Sequence, residues 1–388
     1  MSQNTPRPPK LPSWLLNRFV NIDVRYHAMG DFEEIFYDIA ESEGPSAARR
    51  WYWKQFFHSF PSFLIDSIYW SLTMLRNYIL IAFRNLVKHK GYTVINISGL
   101  AIGLACSIAV LIFVRSENTF DNYHVNKDRL FRVSIESGVI SGGENNFQAP
   151  SSILWGPTLK EDYAEVVDYT RFVPLASEND PWEFHSNGNS FSEHQILHTD
   201  PSVFKTFSWD LYQGDPETAL SEPSTMVITQ SMARKYFGSE NPIGKTIAID
   251  PKQRDDNGNL LTDTYDYTIV GVMQDVPKNS HFTFDFLLPT ENLKNIFGGD
   301  INTGADLDTW FWRGAVGYTY ILLAEGVDPV SFEPKLLDFI KQYPIDSETR
   351  ARGYAYMPYL QSVSEIYLDG NILGQIEPVG DREQIAMY

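Results

Sequence analysis

The longest regularity along the chain is a run without charge. Residues 91–114 read GYTVINISGLAIGLACSIAVLIFV, and Tyr92 and Cys106 carry the only ionisable groups in it. Coiled as a helix at about 1.5 Å per residue, this run reaches roughly 36 Å, enough to cross a hydrocarbon core of about 30 Å. Buried helices of soluble proteins seldom run so far without a charge. The pattern predicts one transmembrane helix over residues 91–114.

Before this run the apolar positions recur with helical spacing. DFEEIFYDIAESEG (31–44) sets Phe32, Ile35, Phe36 and Ile39 on one face, acidic side chains on the other, and Gly44-Pro45 as a stop. SAARRWYWKQFFHSFPSFL predicts a second, aromatic helix that halts near Pro61, so residues 1–65 form a small helical module on the cytoplasmic side. LRNYILIAFRNLVKHKG (75–91) then places Ile79, Phe83, Leu86 and Val87 on one face, with Arg76, Arg84 and Lys88 on another. Residues 66–90 are read as an amphipathic helix lying on the inner membrane surface, with Gly91 as the flexible point before the span. FLIDSIYWSLTML is too short, and carries Asp66, so it is not counted as a second crossing.

After residue 114 both periods appear, as in a folded α/β domain. RLFRVSIES is a strand pattern, and SSILWGPTLKEDYAEVVDYTRFV is a helix, capped by Ser151 or Ser152, leading into a strand. Near the end GYTYILLAEG, DPVSFEPKLLDFIKQYP and YMPYLQSVSEIYL repeat strand, helix, strand. The two ends, about 115–180 and 310–388, predict one split α/β base. The middle, about 180–300, is rich in short strands and turns and predicts an inserted β-rich lobe. The fold class expected is a membrane-anchored α+β protein.

Charge orients this arrangement. Residues 1–90 carry 11 basic and 8 acidic side chains, against 20 and 41 in residues 91–388. Arg76, Arg84, Lys88 and Lys90 precede the span and Glu117, Asp121 and Asp128 follow it, so the N-terminus is cytoplasmic and residues 115–388 lie outside. The acidic larger part repels phosphate backbones, which excludes nucleic acid as its partner. One cysteine allows no intrachain disulfide and no thiolate metal cluster, and the Pro-rich N-terminus lacks the apolar core of a cleaved leader. Within the span, Gly99 and Gly103 form a GxxxG pair through which another helix can approach.

Candidate chemistry is sparse. SENPIGKT (239–246) stands one residue from a phosphate-binding loop, with Ser239 in place of the first glycine. Such a loop follows a strand and opens a helix, whereas TQSMARKYFG before it reads as a helix and KTIAID after it as a strand. The stretch is therefore read as a helix-to-strand turn that binds no nucleotide. His194 and His198 have metal-compatible i, i+4 spacing only on a helix, and their alternating surroundings predict a strand. DPKQRDDNGNLLTD (250–263) lacks the spacing of a calcium loop and is read as a hairpin turning at Asn257-Gly258. No catalytic, metal or cofactor site is expected.

Four stretches carry a resemblance. MLRNYILIAFRNLVKHKGYTVINISGLAIGLACSIAVLIFV, FDNYHVNKDRLFRV, VITQSMARKYFGSENPIGKTI and YTIVGVMQDVPKNSHFTFDFLLP follow one another as in MacB/FtsX-like ABC transporter permeases of the Bacteroidetes type. The resemblance covers about residues 74–388, and residues 7–65 are similar to the cytoplasmic permease-prefix module of some such proteins. It implies a separate cytoplasmic ATPase subunit, a permease homodimer or paired permease, and a cell inner membrane location. It also implies a periplasmic core domain moved by mechanotransmission for export, and a possible periplasmic or outer-membrane export partner. Arg84 and Lys88 are then candidate coupling residues at the phospholipid surface. Family members continue with three more membrane helices where this chain ends in GDREQIAMY, which predicts a truncated or split gene or a fragment. The alternative is a membrane-anchored extracytoplasmic binding or sensory protein without transport activity.

The charge asymmetry makes a topological prediction. Protease added to sealed spheroplasts should digest residues 115–388 and spare a tag at the N-terminus. Digestion of the tag would reverse the orientation.

Overall fold

The computed structural model describes residues 6–19, 22–139, 146–251, 263–307, 311, 316–343, 351 and 354–380. Two compact units divide the chain, Met1–Cys106 and Ser107–Tyr388.

The first unit is helical: α1 (Lys10–Phe19), α2 (Ile22–Ser42), α3 (Pro45–Lys88) and most of α4 (Lys90–Glu117). The predicted stripe on α2 turns inward at Phe32 and Phe36, which meet Leu16 of α1 and Ala48, Tyr52 and Phe56 of α3. Edge-to-face rings of Phe32, Phe36 and Tyr52 fill this core, and the Tyr52 hydroxyl finds Ser13 Oγ at 3.0 Å. Ile35 remains exposed.

Two expectations need correction. The helix does not halt at Pro61: α3 runs unbroken for 44 residues, so 66–90 is no separate element but its second half. Proline keeps a helical φ and forfeits one hydrogen bond, and at an exposed position solvent can take the freed carbonyl. The interruption also lies elsewhere. His89, at φ −109° and ψ 55°, ends α3, while Gly91 sits inside the first turn of α4. Among the described residues, α4 alone is long and apolar enough to cross a membrane, and none of its residues is buried.

The second unit begins with β1 (Leu130–Val139), β2 (Asn146–Gln148), α5 (Trp155–Asp162) and β3 (Val166–Pro174). The middle supplies β4 (Trp182–Ser186), β5 (Asn189–Glu193), β6 (Ile196–Thr199), α6 (Val203–Thr206), β7 (Leu211–Gln213) and β8 (Thr225–Thr229). It continues with α7 (Gln230–Phe237), β9 (Thr246–Asp250), β10 (Tyr265–Met273), β11 (Phe286–Pro289) and α8 (Leu293–Phe297). β12 (Tyr318–Leu323), α9 (Pro329–Gln342), β13 (Tyr354–Ser362) and β14 (Ile372–Leu373) complete it.

The two ends of this unit do meet in one sheet. β1 lies between β12 and β13, antiparallel to both, and β12 pairs with β3. Alternate residues of β1 serve opposite faces. Phe131, Val133 and Ile135 join α5 and α9 through Trp155, Phe332, Leu336 and Phe339, while Leu130 faces an aromatic cluster of Phe172, Phe207, Trp209, Phe282 and Tyr320. Asp328 caps α9 by accepting from the backbone of Val330 and Ser331, and Pro329 occupies the first turn where its missing N–H costs nothing. Ser152 does not cap α5 directly; its Oγ accepts from Leu154 N one residue before the helix.

The middle third has its own core, in which Phe184, Met226, Ile228, Ile247, Ile249 and Phe286 meet Tyr236 and Phe237 of α7. Its strands nevertheless extend the same hydrogen-bonded path rather than a second sheet. β6 pairs with β3 over Phe172↔Thr199, Val173↔His198 and Pro174↔Leu197, and β11, β8, β10, β9 and β4 follow outward. The hairpin expected at Asn257-Gly258 lies outside the described residues.

At this junction sits a fully buried arginine. Arg171 on β3 grips Asp200, just after β6, through Nη2 to Oδ1 at 2.6 Å and Nε to Oδ2 at 2.9 Å. Nη1 donates to the carbonyls of Ile153 and Ile301, Nη2 also to Asn302, and Thr290 Oγ1 donates to Asp200. All five N–H donors of the guanidinium are thus engaged. Arg171→Met should leave the Asp200 carboxylate buried and unpaired, lowering stability by about 3–5 kcal/mol. A denaturant midpoint within error of the parent would refute that.

Candidate functional site

Below α4 the chain enters its domain through a dense polar seam. The last helical turn is closed by Asn118 Nδ2 donating to Val114 O and Thr119 Oγ1 donating to Ser116 O, both at 2.8 Å. Glu117 Oε2 accepts from the Tyr367 hydroxyl at 2.8 Å, and the Phe120 ring stacks parallel on Tyr367. Residues 119–121 then run against 279–281: Asn279 Nδ2 donates to Thr119 O, Asp121 N to Asn279 O, and His281 N to the Asp121 carboxylate.

Asp121 is the centre of the seam. It is buried, adopts φ 55°, and faces His281 Nδ1 at 2.9 Å and His124 Nε2 at 3.7 Å. Left-handed backbone is tolerated by aspartate better than by bulkier residues. Burial alone would push its carboxyl up, but the adjacent His281 and His124 rings outweigh that and hold it below the ordinary range. His281 is shifted down, because burial of its charged form outweighs the attraction of Asp121. His281 Nε2 lies 2.7 Å from the Tyr320 hydroxyl, the donor being set by the ring's tautomer, and Nδ1 faces Asp121 without completing a hydrogen bond. Beside it Tyr123 OH meets Ser280 Oγ at 2.6 Å and accepts from Trp209 Nε1, while His124 Nδ1 accepts from Ser208 N.

A second buried arginine fastens the C-terminal segment. Arg132 of β1 donates to Gln361 Oε1 at 2.5 Å, Gln375 Oε1 at 2.7 Å and Ser134 Oγ at 3.2 Å. The end of α4 and residues 361–377 are thus tied into one sheet region.

The residues singled out from sequence fall elsewhere. Arg84 and Lys88 are exposed on the last turns of α3, with Ile79, Phe83, Leu86 and Val87 exposed beside them. A methyl group built at Gly99 or Gly103 would meet nothing within 4 Å, so both leave room on α4. The SENPIGKT stretch follows α7 and precedes β9 as expected, and its backbone N–H groups are already used. Gly244 N donates to Ile269 O, Lys245 N to Pro242 O and Ile243 N to Asn241 Oδ1. Lys245 pairs with Glu240 and lies over the Phe237 ring. His194 is 41% exposed, 4.0 Å from Glu178, whereas His198 is fully buried on β6, so the two rings do not converge. Among the described residues no three His, Cys, Asp or Glu side chains gather for a metal. Sequence reading missed Asp121, His124, Arg132 and His281, although all four stand within the stretches FDNYHVNKDRLFRV and KNSHFTFDFLLP.

The second unit is a mixed α+β domain, and the chain carries one helix long and apolar enough to cross a membrane among the described residues. The MacB-like periplasmic core domain pattern matches residues 93–338, and the chain belongs to that family, whose members are MacB/FtsX-like permeases. Three solved structures are similar. A domain assigned to a permease protein of Porphyromonas gingivalis is 21% identical, covering 62% of this chain and 91% of that one, with a TM-score of 0.48. The periplasmic region of MacB from Actinobacillus actinomycetemcomitans is 15% identical, covering 66% and 95%, with a TM-score of 0.38. The extracellular domain of the noncanonic ABC-type transporter YknZ from Gram-positive bacteria is 12% identical, covering 58% and 99%, with a TM-score of 0.34. No curated protein matches the chain.

The buried histidines predict acid sensitivity. Burial lowers His198 from 6.5 to about 4, and it lowers His281 too. Both rings take up a proton more readily unfolded than folded, so acid favours the unfolded chain. The contribution of His198 is intact above pH 6.5 and falls away by pH 4, a loss of about 3 kcal/mol at 1.36 kcal/mol per pKa unit. His198→Leu should flatten the fall of melting temperature over that window. An unchanged acid slope would remove His198 as its source.

Proposed function

We propose that this chain is the permease subunit, or the N-terminal part of one, of a MacB/FtsX-like ABC transporter in the cell inner membrane. Residues 1–65 and α3 lie on the cytoplasmic side, α4 spans the bilayer, and residues beyond it are periplasmic. A separate ATPase subunit binds and hydrolyses the nucleotide, and the chain itself performs no chemistry. The closing of that ATPase displaces α3 and α4, and the periplasmic domain moves with them for export or mechanotransmission. A second permease packs along Gly99 and Gly103.

The observation that carries this reading is the seam at the foot of α4. A passive anchor needs only a flexible tether, yet here the last turn is held by the Tyr367 hydroxyl, by a stacked ring and by the Asp121 pairings. Such a joint transmits a rotation or thrust of the helix instead of absorbing it. Arg84 and Lys88 sit at the other end of the path, where each basic contact with an anionic surface is worth about 1 kcal/mol.

In a full-length transporter carrying these residues, Arg84→Glu with Lys88→Glu should insert normally and leave ATP hydrolysis intact, yet lose cargo activity in reconstituted membranes. Tyr367→Ala should produce the same separation from the periplasmic side. Full cargo activity in both variants would reduce α3 and α4 to an anchor.

A further inference from the structure

A cleft of about 590 Å³ opens between the end of β3, the turn before β6 and the segment 375–378. Its lining includes the apolar side chains of Leu175, Leu197 and Ile376 and the Tyr318 ring. The lining also carries Glu377, the largely exposed carboxylate of Glu178 and the His194 ring. No lysine or arginine is among the described residues that line it. Glu377 is aimed: its Oε1 accepts from Thr283 Oγ1 at 3.0 Å, and that hydroxyl in turn accepts from Gln195 Nε2 at 3.0 Å. Glu377 forms no ion pair among the described residues, and Glu178 faces only His194, at 4.0 Å.

We propose that this cleft binds a cationic amphiphile, a compact apolar body carrying one ammonium group. Its volume lies in the range of small-molecule sites, about 300–1,000 Å³, which combine an apolar lining with a few placed polar groups. An anion would meet two like charges with no cation to offset them. A metal ion would find two carboxylates without the further ligands a closed coordination shell needs. An ammonium group beside Glu377 completes a charge-assisted hydrogen bond that the protein leaves open, and the apolar body then covers Leu197 and Ile376. One of the cleft's walls is the segment that Arg132 holds through Gln375 and that the Tyr318 hydroxyl holds through Gly374 O at 2.7 Å. An occupant therefore bears directly on this strap. The inference stands apart from the permease reading, since it requires only the folded domain.

The test uses three probes with one apolar body: 4-phenylbutylamine, 4-phenylbutanol and 4-phenylbutyrate. Each is titrated calorimetrically into the full chain in nanodiscs of zwitterionic lipid, with empty nanodiscs as the blank. The amine should bind saturably, the alcohol at least about tenfold more weakly, and the carboxylate not at all. Glu178→Gln with Glu377→Gln should bring the amine down to the alcohol, and Gln195→Trp should fill the cleft and abolish both. If the tryptophan variant fails to fold, the carboxamide pair, whose melting curve should match the parent, decides alone. Equal binding of all three probes, amine binding that survives the carboxamide pair, or no binding to the folded chain would each overturn the proposal.

Discussion

The extracytoplasmic unit depends on one guanidinium. Arg171 and Asp200 are both buried, and taking two charges out of water costs several kcal/mol per ion unless every donor and acceptor is answered. Here they are answered by segments from all over the unit: β3, the end of β6, the residues before α5, the residue after β11 and the turn after α8. None of these bonds is local in sequence. The pair therefore forms only when base and lobe are both in place, and the desolvation of the charges penalises any packing that leaves the two apart.

The seam below α4 follows the same logic with weaker charges. Asp121 accepts from the His281 backbone N–H and faces two histidine rings at ion-pair distance, and His281 Nε2 meets the Tyr320 hydroxyl in the middle of β12. A polar chain thus runs from the foot of the apolar helix into the centre of the sheet, where Tyr320 packs among Phe172, Phe207 and Phe282. Arg132, one strand over on β1, draws the C-terminal segment into the same region. The last turn of α4 and residues 361–377 are consequently held by one polar network within the second unit.

Much of this was legible along the chain, for identifiable reasons. α4 announced itself by a run without charge, and α9 by Asp328, Pro329 and an apolar face at i, i+4 and i+7. The helix-then-strand order around SENPIGKT followed from periodicity and from Gly238. What could not be read was anything set by pairing across the fold. Arg171 stands in a strand pattern, where nothing local tells a buried arginine from a solvated one. Asp121, His124 and His281 were visible only as letters within motifs, because 160 residues separate the two halves of the seam. Pro61 misled for the opposite reason: local propensity favours a break there, and the aromatic and aliphatic sequence on both sides favours continuation.

Base and lobe share a short strand ladder and a broad common core. β3 and β6 pair over only three residues, and one of the three, Pro174, has no N–H to give. The strands outward of β6 fill a core of their own, while Val227, Met273, Phe282, Phe284 and Leu287 from the same stretch also enter the core that holds Leu130 and Tyr320 of the base. Diversification of the lobe should therefore accumulate on its β4, β5 and β9 side, away from the strands whose residues enter the shared core.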